Sequence, residues 1–476
     1  MLTAMPAWAV STLLHVVAVL ALALVKPVIE PKPAARIITS VPSPDVEETF
    51  EEFEAELPID TPIEATEVTE MVVPTDTVVE DVQVVSEATD IDAAPVAFEL
   101  TDFGTETAPA ADMLSTIGAV GGAAGGFGGR KNSAALAVQN GGGKDTETAV
   151  DLALRWLALH QMPDGGWMFD LRQCPSCQGQ CSHPGKSADR CAATALALLP
   201  FLGRGYTHLE GPYRRQVENG VAFLAELAIK GKGKAYGSGG TLYSQGLAAI
   251  ALSECYGMTQ DNRLAIPAQL ALNFVMDAQD PVGGGWRYSP RQPGDTSAVG
   301  WCLMALKSGD MAHLRVNRLS VTKTIEFLDS VQSDDGAGYG YTSPGASPTL
   351  SAVGLLLRMY MGWKRDNPAL KRGVEKLAKA GPTGNLYHDY YATQLMHHME
   401  GDVWIAWNAK MKKLLLDNQE KTGHETGSWF KGVGGGHGPE VAGRIYTTSL
   451  ATMMLEVYYR HQPLYRGQSV EEEFRE

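Results

Sequence analysis

The chain has 476 residues, 55 of them acidic and 39 basic, for a formal charge of −16; this is the wrong sign for a general nucleic-acid binder, whose phosphate contacts need a cationic surplus. Its hydrophobic content of 44% is that of a globular protein, yet 31 of its 37 aromatic residues and all 6 cysteines follow residue 144. Between Ile37 and Gly129 there are 21 acidic residues and no Lys or Arg, so this stretch holds more than the whole net charge and the remainder is slightly basic.

In chain order, the first element is the uncharged run Ala7–Val25, closed by Lys26 and Pro27. Nineteen uncharged, mostly apolar residues are enough to span a bilayer core as a helix. No basic n-region precedes the run, so an uncleaved anchor is expected over a signal peptide. Ser11 and His15 lie one helical turn apart, on one face. With Leu22 they form Ser-x3-His-x6-Leu, and the segment resembles the N-terminal anchor of TonB-type energy transducers. That resemblance implies a cytoplasmic N-terminus, a periplasmic remainder and an envelope protein complex as partner. The bases after the span, Lys26, Lys32 and Arg36, argue for the opposite orientation.

Residues 30–144 read as a disordered linker. Nine prolines between Pro31 and Pro109, many like charges and few aromatics leave too little apolar surface to offset chain entropy. Gly118–Gly129 is rich in glycine but lacks the Gly-Lys-Ser/Thr ending of a phosphate loop, and reads as flexible chain.

After residue 144 one unit recurs: an aromatic or Leu, an aliphatic, three residues, Gln, a short turn, then Gly and an aromatic. It occurs at Trp156–Gln161–Trp167, Phe274–Gln279–Trp286, Phe327–Gln332–Tyr339 and Leu414–Gln419–Trp429, with degenerate copies leading to Tyr236 and Tyr387 where the Gln is lost. Amphipathic helices such as Thr148–His160 and Ile266–Ala278 precede the turns. Helices apolar on nearly every side, such as Ala192–Leu202 and Ala298–Leu306, follow them. A helix apolar all round is buried and one with a polar stripe faces water, so six alternations predict six inner helices wrapped by six outer ones. The expected chain is a transmembrane helix in residues 1–29, the acidic linker, an all-α toroid over 145–466 and an acidic tail over 467–476.

The repeat resembles the Gln-Trp motif of the squalene-hopene cyclase and prenyltransferase superfamily, an α/α toroid. The resemblance implies that Gln161, Gln279, Gln332 and Gln419 bond the open end of a neighbouring helix while the turn aromatics, such as Trp167, Trp286 and Trp429, stack on the turn, so that successive hairpins are tied together. It does not carry the family chemistry across. Near the start of one inner helix Asp295 stands without the partners of the Asp-x-Asp-Asp acid motif, and the zinc ligand spacing of the protein prenyltransferases is missing. A membrane-anchored binding or scaffold module is therefore the first expectation. The alternatives are a terpenoid- or glycan-acting enzyme and an energy-transduction partner.

The inner-helix starts are expected to cluster at one mouth of the ring. They supply Asp189, Tyr243, Ser244, Asp295, Trp301, His388, Asp389, Tyr390, Tyr391, Arg444 and Tyr446. Asp295, His388 and Asp389 are a candidate proton-transfer set, and the Tyr, Trp, Ser and Arg side chains a pocket for a small molecule, glycan or peptide; helix capping is the favoured account of Asp189, Asp295 and Asp389. His397 and His398 read as packing groups. Finally, Cys174-Pro-Ser-Cys177-Gln-Gly-Gln-Cys181-Ser-His183 has the density of a structural zinc site, with Cys191 as an alternative ligand, while a disulfide is the rival in an oxidising compartment. Cys255 and Cys302 lie in apolar helices and read as core.

Overall fold

The computed structural model describes residues 125–461, apart from Ser238 and His437. The membrane-anchor reading of Ala7–Val25 and the 467–476 tail lie outside the described residues; among these, no helix is long and apolar enough to cross a membrane.

Six hairpins follow one another. The outer helices are α2 (Lys144–Leu159), α4 (Arg214–Lys230), α6 (Asn262–Asp277), α8 (Arg318–Val331), α10 (Pro368–Ala380) and α12 (Gly401–Asn418). The inner helices are α3 (Arg190–Gly203), α5 (Leu242–Thr259), α7 (Thr296–Met311), α9 (Pro348–Tyr360), α11 (Leu386–Met399) and α13 (Pro439–Leu455). Each inner helix packs on the next, and α13 packs back on α3, which closes the ring. The burial pattern agrees with the periodicity: α3 is buried from Cys191 to Gly203, whereas α4 buries one stripe made of Val217, Gly220, Val221, Leu224, Ala225 and Ala228. Contacts between helix starts show that the inner helices run parallel, for Tyr243 reaches Asp295 and Ser297 reaches Tyr387.

The repeat motif performs its expected tie, by a different bond from the one anticipated. The Gln279 amide donates to the carbonyls of Gly284 (2.8 Å) and Ser320 (2.9 Å), so it clamps its own turn to the next outer helix rather than covering an open helix end. Gln161 and Gln419 repeat this with Gly165 and Gln216, and with Gly427 and Ala149. The open end is covered by the turn indole instead: Trp167, Trp286 and Trp429 donate to Leu157, Val275 and Leu415, near the C-terminus of their own outer helix. Gln332 departs from the pattern. It pairs with Tyr339 in a two-residue antiparallel ladder, β1 (Gln332–Ser333) with β2 (Gly338–Tyr339), and Arg358 donates to the Tyr339 hydroxyl.

The ordered body also starts before residue 145. Gly125–Asn132 forms 3-10 turns and Ser133–Asn140 forms α1, with Phe127, Arg130 and Ala137 buried. Together with α14 (Val457–Arg460) this segment packs at the C-terminal end of the inner ring, against α5. The glycine-rich reading of this stretch as plain linker misses Phe127, whose ring fills the space where a Cβ on Gly257 would stand.

Candidate functional site: the N-terminal mouth of the inner ring and a Cys–His cluster at the seam

The mouth is built from helix starts. Asp295 caps α7, accepting from the Ala298 N–H at 2.8 Å on Oδ1, and the Tyr243 hydroxyl donates to the same oxygen at 3.3 Å. Its other oxygen, Oδ2, is buried without a hydrogen-bond partner, and the nearest cation, Arg287 Nε, is 3.9 Å away. Burial raises the Asp295 pKa against the capping N–H, the neighbouring tyrosines and Arg287, all of which favour the anion. Arg287 lies over the rings of Tyr288 and Tyr341, whose hydroxyls are 2.9 Å apart. Tyr387 completes this side through Ser297, 2.6 Å from its hydroxyl. Tyr243, Tyr288, Tyr341, Tyr387 and Tyr446 stay half-buried, with Tyr243 and Tyr288 stacked on each other at 5.9 Å. On the other flank of α5, Asp189 caps α3 and accepts from Ser244, and burial raises its pKa too.

The expected set of Asp295, His388 and Asp389 does not converge. Asn385 is the cap of α11, and the Asp389 carboxylate turns back to accept from the N–H groups of Thr383 (2.9 Å) and Gly384 (2.8 Å). His388 faces outer helix α12, its ring tilted toward Trp407 with centroids 6.4 Å apart. The physical reason is the 100° step of a helix. Tyr387 and Tyr391 share the face turned to the mouth, so 388 and 389 rotate away from it. Ser244, Trp301, Tyr390 and Tyr391 are buried, with Trp301 stacked on Tyr390 at 5.5 Å, and serve as the packed floor rather than as contact groups. Arg444 is not at the mouth. Wholly buried, it donates to Ser182 and Ser428 and pairs with Glu425 at 3.0 Å. His397 bonds the His461 carbonyl and His398 contacts Tyr360, as packing groups.

The cysteine loop lies where the last hairpin meets the first. Its backbone crosses the start of α13 so closely that Gly443, at φ +59°, is the residue that fits: a Cβ there would stand 2.3 Å from Gly185 N. The four potential metal ligands that the loop and its neighbours bring together are His160, Cys177, Cys181 and His424, with ligand atoms within 4.8 Å of one another. This corrects the reading of Cys174, Cys177, Cys181 and His183 as one set. Cys174 Sγ points to Ser176 and the His160 carbonyl, and His183 stacks on Phe430 at 3.9 Å. Cys191 is beside the Ser244 carbonyl, and all six cysteines are free thiols. His160 and His424 escaped the sequence reading because they are 264 positions apart, yet a signal existed: each sits just beyond the end of an outer helix, in the two terminal repeats that ring closure makes neighbours.

No family model matches this sequence, and no curated protein matches it. Solved structures similar to it include an alpha-1,6-mannanase from Salegentibacter sp. HEL1_6, at 10% identity, 67% coverage of this chain and 100% of that one, with a TM-score of 0.47. A type II terpene cyclase from Scytonema gives 14% identity, 67% and 99% coverage and a TM-score of 0.47. A D-mannose isomerase gives 11%, 66%, 98% and 0.45.

Proposed function

We propose that the N-terminal mouth of the toroid binds a flat-faced polar ligand of the glycan class and that Asp295 is its proton donor. The observation that carries this reading is the Asp295 carboxyl: fully buried, with one oxygen unpartnered, beside partly open tyrosine rings. Burial disfavours the anion of such a carboxyl and raises its affinity for a proton, the direction that a donor to a ligand oxygen needs. Protonating an alkene, as a terpenoid reaction would require, asks for a strong acid; the direction of the Asp295 shift favours an acceptor oxygen instead. Arg287, Tyr288 and Tyr341 at the rim offer donors and ring faces suited to a sugar. The sequence adds an envelope setting, with Ala7–Val25 as membrane anchor and the acidic stretch as tether.

Asp295→Asn tests the reading. Asn is as good a cap as Asp, so the fold should hold within about 1 kcal/mol. In infrared titration the native-minus-variant difference should show one carboxylic acid persisting above the ordinary aspartate value of about 3.9, the other buried carboxyls such as Asp189 and Asp389 being common to both proteins. In calorimetry against an oligosaccharide panel the variant should keep binding, whereas Tyr243→Ala should weaken it, and any oligosaccharide turnover should be lost in Asp295→Asn alone. Absence of an acid signal from the difference between native protein and variant removes Asp295 as donor. Failure of every oligosaccharide to bind removes the ligand class.

A further inference from the structure

We infer that His160, Cys177, Cys181 and His424 hold one structural zinc ion, which staples the ring closed at the seam between its last and first hairpins. This site stands apart from the mouth and does not rest on the function proposed for it. Zinc takes four ligands of this kind in a tetrahedron, with bonds of about 2.3 Å to sulfur and 2.0–2.1 Å to nitrogen, which puts neighbouring S and N ligands roughly 3.5 Å apart. Cys181 Sγ is 3.4 Å from His160 Nε2 and 3.2 Å from His424 Nδ1. The His160 ring is already turned to bind a metal. Its Nδ1 lies 2.7 Å from the Trp156 carbonyl, so the N–H donates there and the Nε2 lone pair faces the sulfur. A ligand imidazole fixed through its other nitrogen is the usual support of a metal site.

Charge and burial point the same way. His160, Cys177 and Cys181 are buried and His424 is half-buried, so a full set of four protein ligands leaves no position for substrate, as in structural rather than catalytic zinc sites. On binding, each cysteine thiol gives its proton to solvent, and two thiolates balance the charge of the ion. The result is a neutral centre that can remain buried beside the Arg444–Glu425 pair. Topology gives the site its purpose. His160 follows the end of α2, His424 sits in the turn after α12, and the two cysteines belong to the loop inserted in the first repeat. Around the same seam Gln419 reaches the Ala149 carbonyl, Ser182 donates to Glu425, and Arg444 bonds Ser182. A ring has one such closure, and the metal joins its two sides directly.

Elemental analysis of the full chain, purified without chelator, should give about one zinc per molecule. Replacement by cobalt(II) should give the intense visible bands of a tetrahedral site with thiolate ligands. His424→Ala, and separately His160→Ala, should lower zinc affinity by more than about 100-fold, beyond the effect of losing an outer-shell partner. Cys174→Ser and His183→Ala should retain the metal and the cobalt spectrum, which separates this ligand set from the contiguous one in the loop. Should a ligand variant fail to fold, the native cobalt spectrum and these two retained-metal variants still decide the matter. A native protein without zinc, a Cys177–Cys181 disulfide found by mass spectrometry, or loss of metal from Cys174→Ser or His183→Ala with retention in His424→Ala would each overturn the assignment.

Discussion

Lys307 extends from inner helix α7 to place its Nζ 3.7 Å from the centre of the Tyr360 ring. Burial pulls its pKa down to about 7; Glu254 opposes this shift, and Arg130 and Arg460 add to it. The sign of the stability effect follows. In the unfolded chain this amine titrates near 10.4, so the folded state binds its proton less well. The contribution to stability is full above about pH 10 and is lost as pH falls through about 7. Lys307→Met keeps the stem over Tyr360 and removes the titration. Urea unfolding of the two proteins between about pH 6 and pH 10 should therefore show the native protein gaining stability relative to the variant as pH rises. Cysteines and tyrosines titrating in the same range are common to both and cancel in the difference. A flat difference would mean that Lys307 is solvated in the folded state.

At the scale of the helical hairpin, the working unit is the Gln–indole pair that fixes three of the six turns. Gln279→Leu would leave the buried Gly284 carbonyl without its donor, while the Ser320 carbonyl keeps the Thr324 hydroxyl at 2.8 Å, so the change should cost about 1–3 kcal/mol. Gln332→Leu should cost less than about 1 kcal/mol, because its amide clamps no neighbouring helix and its contact with Arg358 is long, at 3.4 Å. A third substitution tests whether the bond or the motif matters. In the second hairpin, which lacks the motif Gln, Gln245 of inner helix α5 donates to Gly233 and Ala271, making the same clamp from the other side. Its oxygen also accepts from the buried Ala235 N–H at 2.8 Å, so Gln245→Leu should cost more than Gln279→Leu in urea unfolding. These cases mark what the sequence can tell. Hairpins, their order and which helices lie inside were legible, because burial on all sides or on one stripe is written in the side chains themselves. Asp295 and Tyr243 were legible as mouth residues because helix starts follow from the repeat. His388 and Asp389 were placed wrongly because one residue along a helix turns the side chain by 100°. The Gln245 and His424 substitutions of role were hidden because they depend on which turns become neighbours only after the ring has closed.

At the scale of the molecule, a ring of parallel helices leaves two ends, and this chain treats them differently. The N-terminal end keeps half-buried tyrosines and a buried acid; the C-terminal end is closed by the chain's own flanks. There Arg130 and Arg460 both grip Glu254, at 2.9 and 3.0 Å, while Arg130 also reaches the Leu202 carbonyl and Arg460 the Leu199 carbonyl. Asn140 and Trp404 tie the same flank to α14 and α12. A chain begun at Asp145, where the repeat pattern starts, would lose Phe127, Arg130 and Ala137 and expose the end of the inner core. Burial of Phe127 alone contributes about 1.5–3 kcal/mol. Breaking a buried ion pair from one side costs about 3–5 kcal/mol, less here because Arg460 still holds Glu254. The shortened chain should therefore unfold at lower urea than one begun at Gly122, by several kcal/mol. Arg130→Met separates the two terms: it should lower stability by roughly 1–3 kcal/mol through Glu254 while keeping Phe127 in place. If the chain begun at Asp145 matches the longer one in stability, the flank covers the ring without supporting it.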